Sequence, residues 1–353
     1  MSNQTQRKTF AGFVDLQVNG YRGIDFSSLS LTIDSATHAL RGILSDGACT
    51  AIVPTIISSS LDVYNHVLPI FAEIKSMKEF HSRIIGIHLE GPFISPKEGA
   101  VGCHNASNVR LPSIKLLEDW QKLSHGNICL ITLAAEIEGA CKLIEYCDTN
   151  KIVVSLGHQD SSNQEIDRAV EAGAKVMTHL GNGIPNMIHR HDNMIWKGLS
   201  DDRLTVMLIT DGSHLPKDVL RVMFRSKPSH LIVVTSDVAP VAGLPDGTYK
   251  CFGTSVVVKG TRVQSATLPC LAGSGALMLH CINHLCKVWP LHFTDNPNKS
   301  TSESAFELMT RVGFTNPLYL MRHKYDESFQ AIDDKAHILT WMDNQFYFTG
   351  ALL

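Results

Sequence analysis

Ile84-Ile85-Gly86-Ile87-His88-Leu89-Glu90-Gly91-Pro92-Phe93 is an apolar run that stops on a carboxylate and a Gly-Pro turn. It lacks the in-out alternation of a half-exposed strand and matches what burial on both faces of a parallel sheet requires. The same pattern recurs along the chain. Strands are expected at Phe13–Val18, Ala51–Ile57, Ile84–Leu89, Ile128–Leu133, Ile152–Leu156, Lys175–Thr178, Leu204–Ile209 and Leu231–Thr235. Helical spacing with plausible caps falls between them at Ile33–Asp46, Leu61–Phe80, Ser113–Leu123, Glu138–Asn150, Ser162–Ala172 and Lys217–Ser226. Eight βα units predict an α/β fold, a (β/α)8 TIM-like barrel, with a doubly wound sheet as the alternative.

Beyond the eighth strand the pattern changes. Val241–Leu271 is rich in Gly, Thr and Val and reads as a hairpin excursion, an insertion spanning about 241–272. A helix over Ser274–Val288 would close the barrel. From Trp289 the periodicity weakens, with a polar stretch at Asp295–Ser304. The expected division is a barrel over 10–325 and a short β remnant over 326–353.

The chain has 353 residues, 44% of them hydrophobic, enough for a substantial core, and its net charge of -3 gives no field to gather nucleic acid or anionic membrane. A small-molecule partner fits better. Met1–Phe10 lacks an apolar signal-like region and no run reaches the roughly 18 apolar residues of a membrane span, so a cytoplasmic protein is expected. The nine cysteines include no C-x-x-C pair and read as reduced thiols. Cys103, beside His104, lacks a positioned base and is a weak nucleophile candidate.

Polar and ionisable residues gather where the expected strands end: Asp15 and Gln17 toward the end of the first and Asn19 just after it, Glu90 after the third, Glu136 after the fourth. His158 follows the fifth strand, His179 the sixth, Asp211 and His214 the seventh, and Asp237 the eighth. In such barrels that end carries the active site. Glu90, His158 and His179 come from three strands and would leave a fourth position open on a tetrahedral metal, with Asp237 the candidate to take and return a proton. Each has a plainer reading taken singly. Asp237 could cap a turn, Glu90 could be anchored by Gly91-Pro92, and His158 could bond backbone as a core histidine. Their joint placement favours the metal site.

At these residues the chain resembles the N-acetylglucosamine-6-phosphate deacetylases, amidohydrolases, from Phe13-Val14-Asp15 to about Pro317. The blocks follow the family's order: Gly86-Ile87-His88-Leu89-Glu90-Gly91-Pro92-Phe93, Ser155-Leu156-Gly157-His158, Thr178-His179-Leu180-Gly181-Asn182, Thr210-Asp211-Gly212-Ser213-His214 and Ala242-Gly243-Leu244-Pro245-Asp246-Gly247-Thr248-Tyr249. Leu271-Ala272-Gly273-Ser274 resembles its late Gly-Ser turn.

The resemblance implies hydrolysis of N-acetylglucosamine 6-phosphate to glucosamine 6-phosphate and acetate by a metal-bound hydroxide. It implies Glu90, His158 and His179 as metal ligands, Asp237 as general base and acid, and His104 as the group that polarises the acetyl carbonyl. Gln17 and Asn19 stand where many amidohydrolases have a His-x-His metal pair, which favours one divalent metal, zinc before iron, manganese or cobalt. Asn182, the adjoining amide of Gly183, and His214 would hold the sugar phosphate. Arg190 would reach it from a partner subunit, which predicts a homodimer.

Four blocks depart from the pattern: Leu133-Ala134-Ala135-Glu136, Gly181 before Asn182, Asn182-Gly183-Ile184, and Thr235-Ser236-Asp237. The glycines at 181 and 183 are expected to loosen the sugar pocket, so a related N-acyl amino sugar or N-acyl amino acid stays an alternative substrate. The family usually opens with several strands before the first barrel strand, and here the barrel is expected to begin almost at once, which keeps a non-catalytic sugar-phosphate binder as a further alternative. Ala336–Leu353 reads as shortened strands that pack on the barrel or join another subunit.

Overall fold

A computed structural model describes residues 8–288, 301–322 and 338–350. Eight parallel strands form one sheet in sequence order: β1 Phe13–Val18, β2 Cys49–Ile57, β3 Ile87–Glu90, β4 Ile128–Leu133, β5 Val153–Leu156, β6 Val176–Met177, β7 Thr205–Ile209 and β8 Ile232–Thr235. The sheet curls until its edges meet, with a parallel bridge between Val18 and Val238 and the Asn19 amide donating to the Val238 carbonyl at 2.9 Å. The barrel expectation holds and the doubly wound alternative falls, because that fold leaves its edges apart.

Helices follow the strands and cover the outside: α1 Ile33–Asp46, α2 Leu61–Ser76, α3 Ile114–Leu123, α4 Ala140–Thr149, α5 Asn163–Glu171, α6 Met194–Ser200, α7 Lys217–Ser226 and α8 Met278–Val288. Their starts obey local chemistry. Thr32 and Ser162 close capping boxes with Ser35 and Glu165, fixing the entries of α1 and α5. Helix α6 was not anticipated. Its seven residues sit behind Asn193, whose side chain accepts from the amides of Ile195 and Trp196, too short a segment for periodicity to announce.

Inside the barrel the side chains are layered. Toward the amino ends of the strands Val14, Leu16, Val53, Val153, Val176 and Val233 form an apolar plug. Met321 and Leu318 of α10 (Asn316–Met321) pack against it from below. The chain region expected to have weak periodicity therefore supplies helices, α9 (Thr301–Thr310) and α10, joined by a π-helical turn. Above the plug lie hydroxyls and one imidazole, where His88 sits 2.8 Å from Thr132 Oγ1 and 3.3 Å from Thr55 Oγ1. Burial lowers the His88 pKa to about 4, so this layer is polar yet uncharged near neutrality.

The excursion is larger than a hairpin. It is a four-stranded antiparallel sheet of β9 Gly247–Cys251, β10 Thr254–Lys259, β11 Arg262–Ser265 and β12 Leu271–Ser274, with a small core of Val256, Val258, Val263 and Ala272. The closing strands β13 Ile338–Met342 and β14 Gln345–Gly350 pack on this chain's own barrel, which answers the open question about them. β13 pairs on one side with β14 and on the other with a strand at Lys8–Phe10 that the polar amino end had not suggested. Phe346 packs on Phe10, Phe13 and Phe306, and Asn283 binds both the amide and carbonyl of Phe346 at 2.9 Å. Residues 295–300 of the expected polar stretch and the boundary expected at 325–326 lie outside the described residues.

Candidate metal centre and cavity

Three strand ends turn on residues with left-handed backbone: φ is 51° at His158, 29° at His179 and 52° at Asp237. Non-glycine residues pay about 1–3 kcal/mol each for such conformations, which persist where surrounding structure enforces them and cluster at functional sites. Here the turns bring side chains from separate strands to one point. Glu90 Oε1 lies 3.1 Å from His158 Nε2 and 2.9 Å from His179 Nε2, and the two imidazole nitrogens are 3.2 Å apart. All three residues are buried.

Asp237 approaches from the other side through a neutral bridge. Gln17 Nε2 donates to Glu90 Oε1 at 2.8 Å and to Asp237 Oδ1 at 2.9 Å, while Asn19 Nδ2 donates to Asp237 Oδ1 at 2.8 Å. Amides in place of imidazoles thus separate two carboxylates that would otherwise repel directly. Asp15 buttresses the same loop, accepting from Thr235 Oγ1 at 2.6 Å and from the Ser236 amide and hydroxyl.

The electrostatics differ across the bridge. Burial pushes the Glu90 carboxyl up, but the hydrogen bonds and charges of His158 and His179 outweigh it and hold it well below the usual range. Burial and the Glu90 charge push Asp237 up. His104, on the far side of Glu90 at 3.9 Å, is driven down to about 3 by burial first and by its histidine neighbours, so its ring is neutral.

Tautomers decide which of these groups can hold a cation. His158 Nδ1 faces the Ala100 carbonyl at 2.8 Å and must donate there, which leaves Nε2 as a lone pair pointing at Glu90. His104 is the reverse. Its Nδ1 accepts from the Ser58 amide at 3.3 Å and lies 2.8 Å from Ser58 Oγ, which puts the proton on Nε2. Glu90, His104 and His158 are also close enough to surround an ion, but a protonated Nε2 donates rather than ligates. Glu90, His158 and His179 therefore fit a divalent metal as a one-carboxylate, two-imidazole set with room for other ligands. The buried, unpartnered His179 Nδ1, Gln17 Oε1 and Asn19 Oδ1 mark further polar capacity at the centre.

Asn19, Glu90, His158, His179 and Asp237 line a cavity of about 700 Å³, together with His104, Asn182, Gly183 and His214. His214 is oriented by Asp211, whose Oδ2 lies 2.8 Å from His214 Nδ1 while Oδ1 accepts from the His214 amide at 2.9 Å. Gly183 is a tight position rather than the loosening one expected. At φ 61°, a Cβ there would stand 3.0 Å from His158 Nδ1 and 3.1 Å from His179 Cε1. Glu136 stays outside the cluster, accepting from the Asp160 amide and the Ser161 hydroxyl. Arg190 is exposed and does not line its own cavity. Sequence reasoning missed two lining residues, Arg262 and Gln264 of β11. They lie in the excursion, whose Gly/Thr/Val composition announces hairpins and no site.

A closed parallel barrel with a buried carboxylate-imidazole centre at the carboxyl ends of its strands is the class to which this architecture belongs. Over 337 residues the chain is 32% identical to the N-acetylglucosamine-6-phosphate deacetylase of Bos taurus, 93% of this chain and 80% of that protein. Over 289 residues it is 33% identical to that of Caenorhabditis elegans, 78% of this chain and 68% of that one. The chain belongs to the N-acetylglucosamine-6-phosphate deacetylase family. Its fold matches a Mycobacterium smegmatis member solved with N-acetyl-D-glucosamine-6-phosphate bound, with TM-score 0.80, 21% identity, and coverage of 96% of this chain and 84% of that one. No family model matches the chain. Among the described residues no helix is long and apolar enough to cross a membrane.

Proposed function

We propose that this chain hydrolyses the N-acetyl group of N-acetylglucosamine 6-phosphate to glucosamine 6-phosphate and acetate. The observation that carries the reading is the meeting of Glu90, His158 and His179 within 3.2 Å, with Asp237 joined to them through Gln17, in a chain of this family. Glu90, His158 and His179 would hold one divalent cation, for which zinc suits the donor set. When bound, such an ion lowers the pKa of water and polarises a carbonyl.

The rest falls to side chains. His104 donates a hydrogen bond from Nε2–H to the acetyl oxygen and keeps its proton, a role supported by its neutral ring and its Ser58 contacts. Asp237 accepts a proton from the attacking water as the new C–O bond forms, then delivers it to the departing nitrogen as the C–N bond breaks, which releases acetate and the amine. Asn182, the Gly183 amide and His214 hold the sugar phosphate, with Asp211 fixing the His214 ring.

Arg190 belongs to the same proposal through a partner subunit of a homodimer. Its exposure, and the exposed Met187 and Trp196 beside it at 90% and 52%, support a surface that a two-fold pair would cover. Mixing an Arg190→Ala chain with an Asp237→Asn chain tests it. Recovery of about a quarter of wild-type activity is expected from shared sites, whereas no recovery in mixed dimers would remove Arg190 from the partner's cavity. The reaction itself is tested by acetate release from N-acetylglucosamine 6-phosphate with zinc, manganese or iron supplied. Preference for the unphosphorylated sugar would refute the substrate.

A further inference from the structure

Among the described residues that line the cavity, Arg262 is the only lysine or arginine. Its side chain is exposed, and its hydrogen bond within the chain is a long one, 3.3 Å from Nε to Gln264 Oε1. Strand β11 alternates: Val263 enters the small core of the excursion, while Arg262 and Gln264 face the other way. The register breaks between Arg262 and Gln264, a bulge of the kind that re-aims side chains beside functional sites.

Arg262 is also firmly placed relative to the phosphate candidates. Its backbone pairs with Ser274 across the ladder, next to the bulge. Ser274 Oγ donates to Asp211 Oδ2 at 2.8 Å, the oxygen that also faces His214 Nδ1 at 2.8 Å. The carbonyl before Arg262, that of Thr261, accepts from the Gly275 amide at 2.9 Å, and a Cβ at Gly275 would meet that oxygen at 2.8 Å. The strand is thereby pinned onto the turn that carries Ser274.

We infer that Arg262 is a phosphate anchor supplied by the chain's own excursion sheet, receiving the substrate's phosphate from the same wall as His214. This inference rests on the sugar-phosphate reading. The free guanidinium edge offers parallel donors to two phosphate oxygens, which a lysine's single point cannot reproduce. The excursion would then set specificity for the phosphorylated sugar, while the barrel ends supply the chemistry.

The test compares wild-type, Arg262→Ala and Arg262→Lys protein by acetate release from N-acetylglucosamine 6-phosphate and N-acetylglucosamine. Calorimetric titration with inorganic phosphate supplies a second readout. Arg262→Ala should raise KM for the phosphorylated sugar roughly 10- to 100-fold with kcat changed only a few-fold, on the scale of a lost charged hydrogen bond. The ratio of kcat/KM between the two sugars should fall by the same factor, phosphate binding should weaken, and Arg262→Lys should recover part of both. An unchanged ratio, or an equal loss on both sugars, overturns the anchor. Should wild-type protein release no acetate yet bind phosphate through Arg262, the deacetylase reading falls and the anchor stands. Absence of both turnover and phosphate binding overturns both.

Discussion

The amide of Ser274 donates to the carbonyl oxygen of Asp237 at 2.8 Å, joining the end of the excursion sheet to the turn after the last barrel strand. Through its hydroxyl the same serine holds Asp211, which orients His214. One residue therefore couples the proposed proton carrier to the proposed phosphate wall.

Replacing Asp211 with Asn should disturb His214 more than the chemistry, so KM for the phosphorylated sugar rises about tenfold while kcat changes little. Stability carries a pH signature. Burial opposes ionisation of Asp211, but His214 and the loop amides outweigh it and hold the carboxyl well below its ordinary 3.8. A depressed folded pKa gives stability that is fully present above about pH 4 and is lost as the pH falls further, because the unfolded chain takes up the proton first. Melting temperatures should show wild type ahead of D211N at pH 7 and the gap closing below pH 4. A gap independent of pH would contradict the depressed Asp211 carboxyl.

Asp237→Asn keeps the shape of the side chain and removes its ability to take a proton. Acetate release should fall roughly 100-fold or more. Metal content measured by atomic emission should be unchanged, since Asp237 lies outside the ligand set. Activity near wild type would require another base.

Removing a ligand should have the opposite pattern. Glu90→Gln or His158→Ala should lower bound metal from one equivalent per chain to a small fraction, whereas His104→Ala should retain it. Metal loss in His104→Ala would mean that His104 ligates, against the tautomer set by Ser58.

Phe346 connects the closing hairpin to the rest of the fold through Phe10, Phe13 and Phe306. Truncating it to Ala should cost about 3–5 kcal/mol in denaturant unfolding. A loss below about 1 kcal/mol would show that the hairpin contributes little to the fold.

The barrel was legible because the strands are locally encoded: Ile128–Leu133 begins and ends where its apolar run does, and Phe13–Val18 has the bounds expected for it. The candidate centre was legible for a related reason, since Glu90, His158, His179 and Asp237 each stand at a strand end. Pairings made across long sequence separations were not legible. Lys8–Phe10 joins Ile338–Met342 at the opposite end of the chain, and while the latter reads as a strand from its own residues, the short polar Lys8–Phe10 does not. Arg262 escaped notice similarly, because only the bulge and its pairing with Ser274 place it at the cavity. The left-handed turns at His158, His179 and Asp237 leave no sequence signal either, as none is a glycine.

The most direct measurement is acetate released by zinc-loaded protein from N-acetylglucosamine 6-phosphate, before and after a chelator strips the metal. Stoichiometric conversion to glucosamine 6-phosphate and acetate, abolished by the chelator and restored by added zinc, is the predicted result. Metal bound at Glu90, His158 and His179 with no acetate released would contradict it.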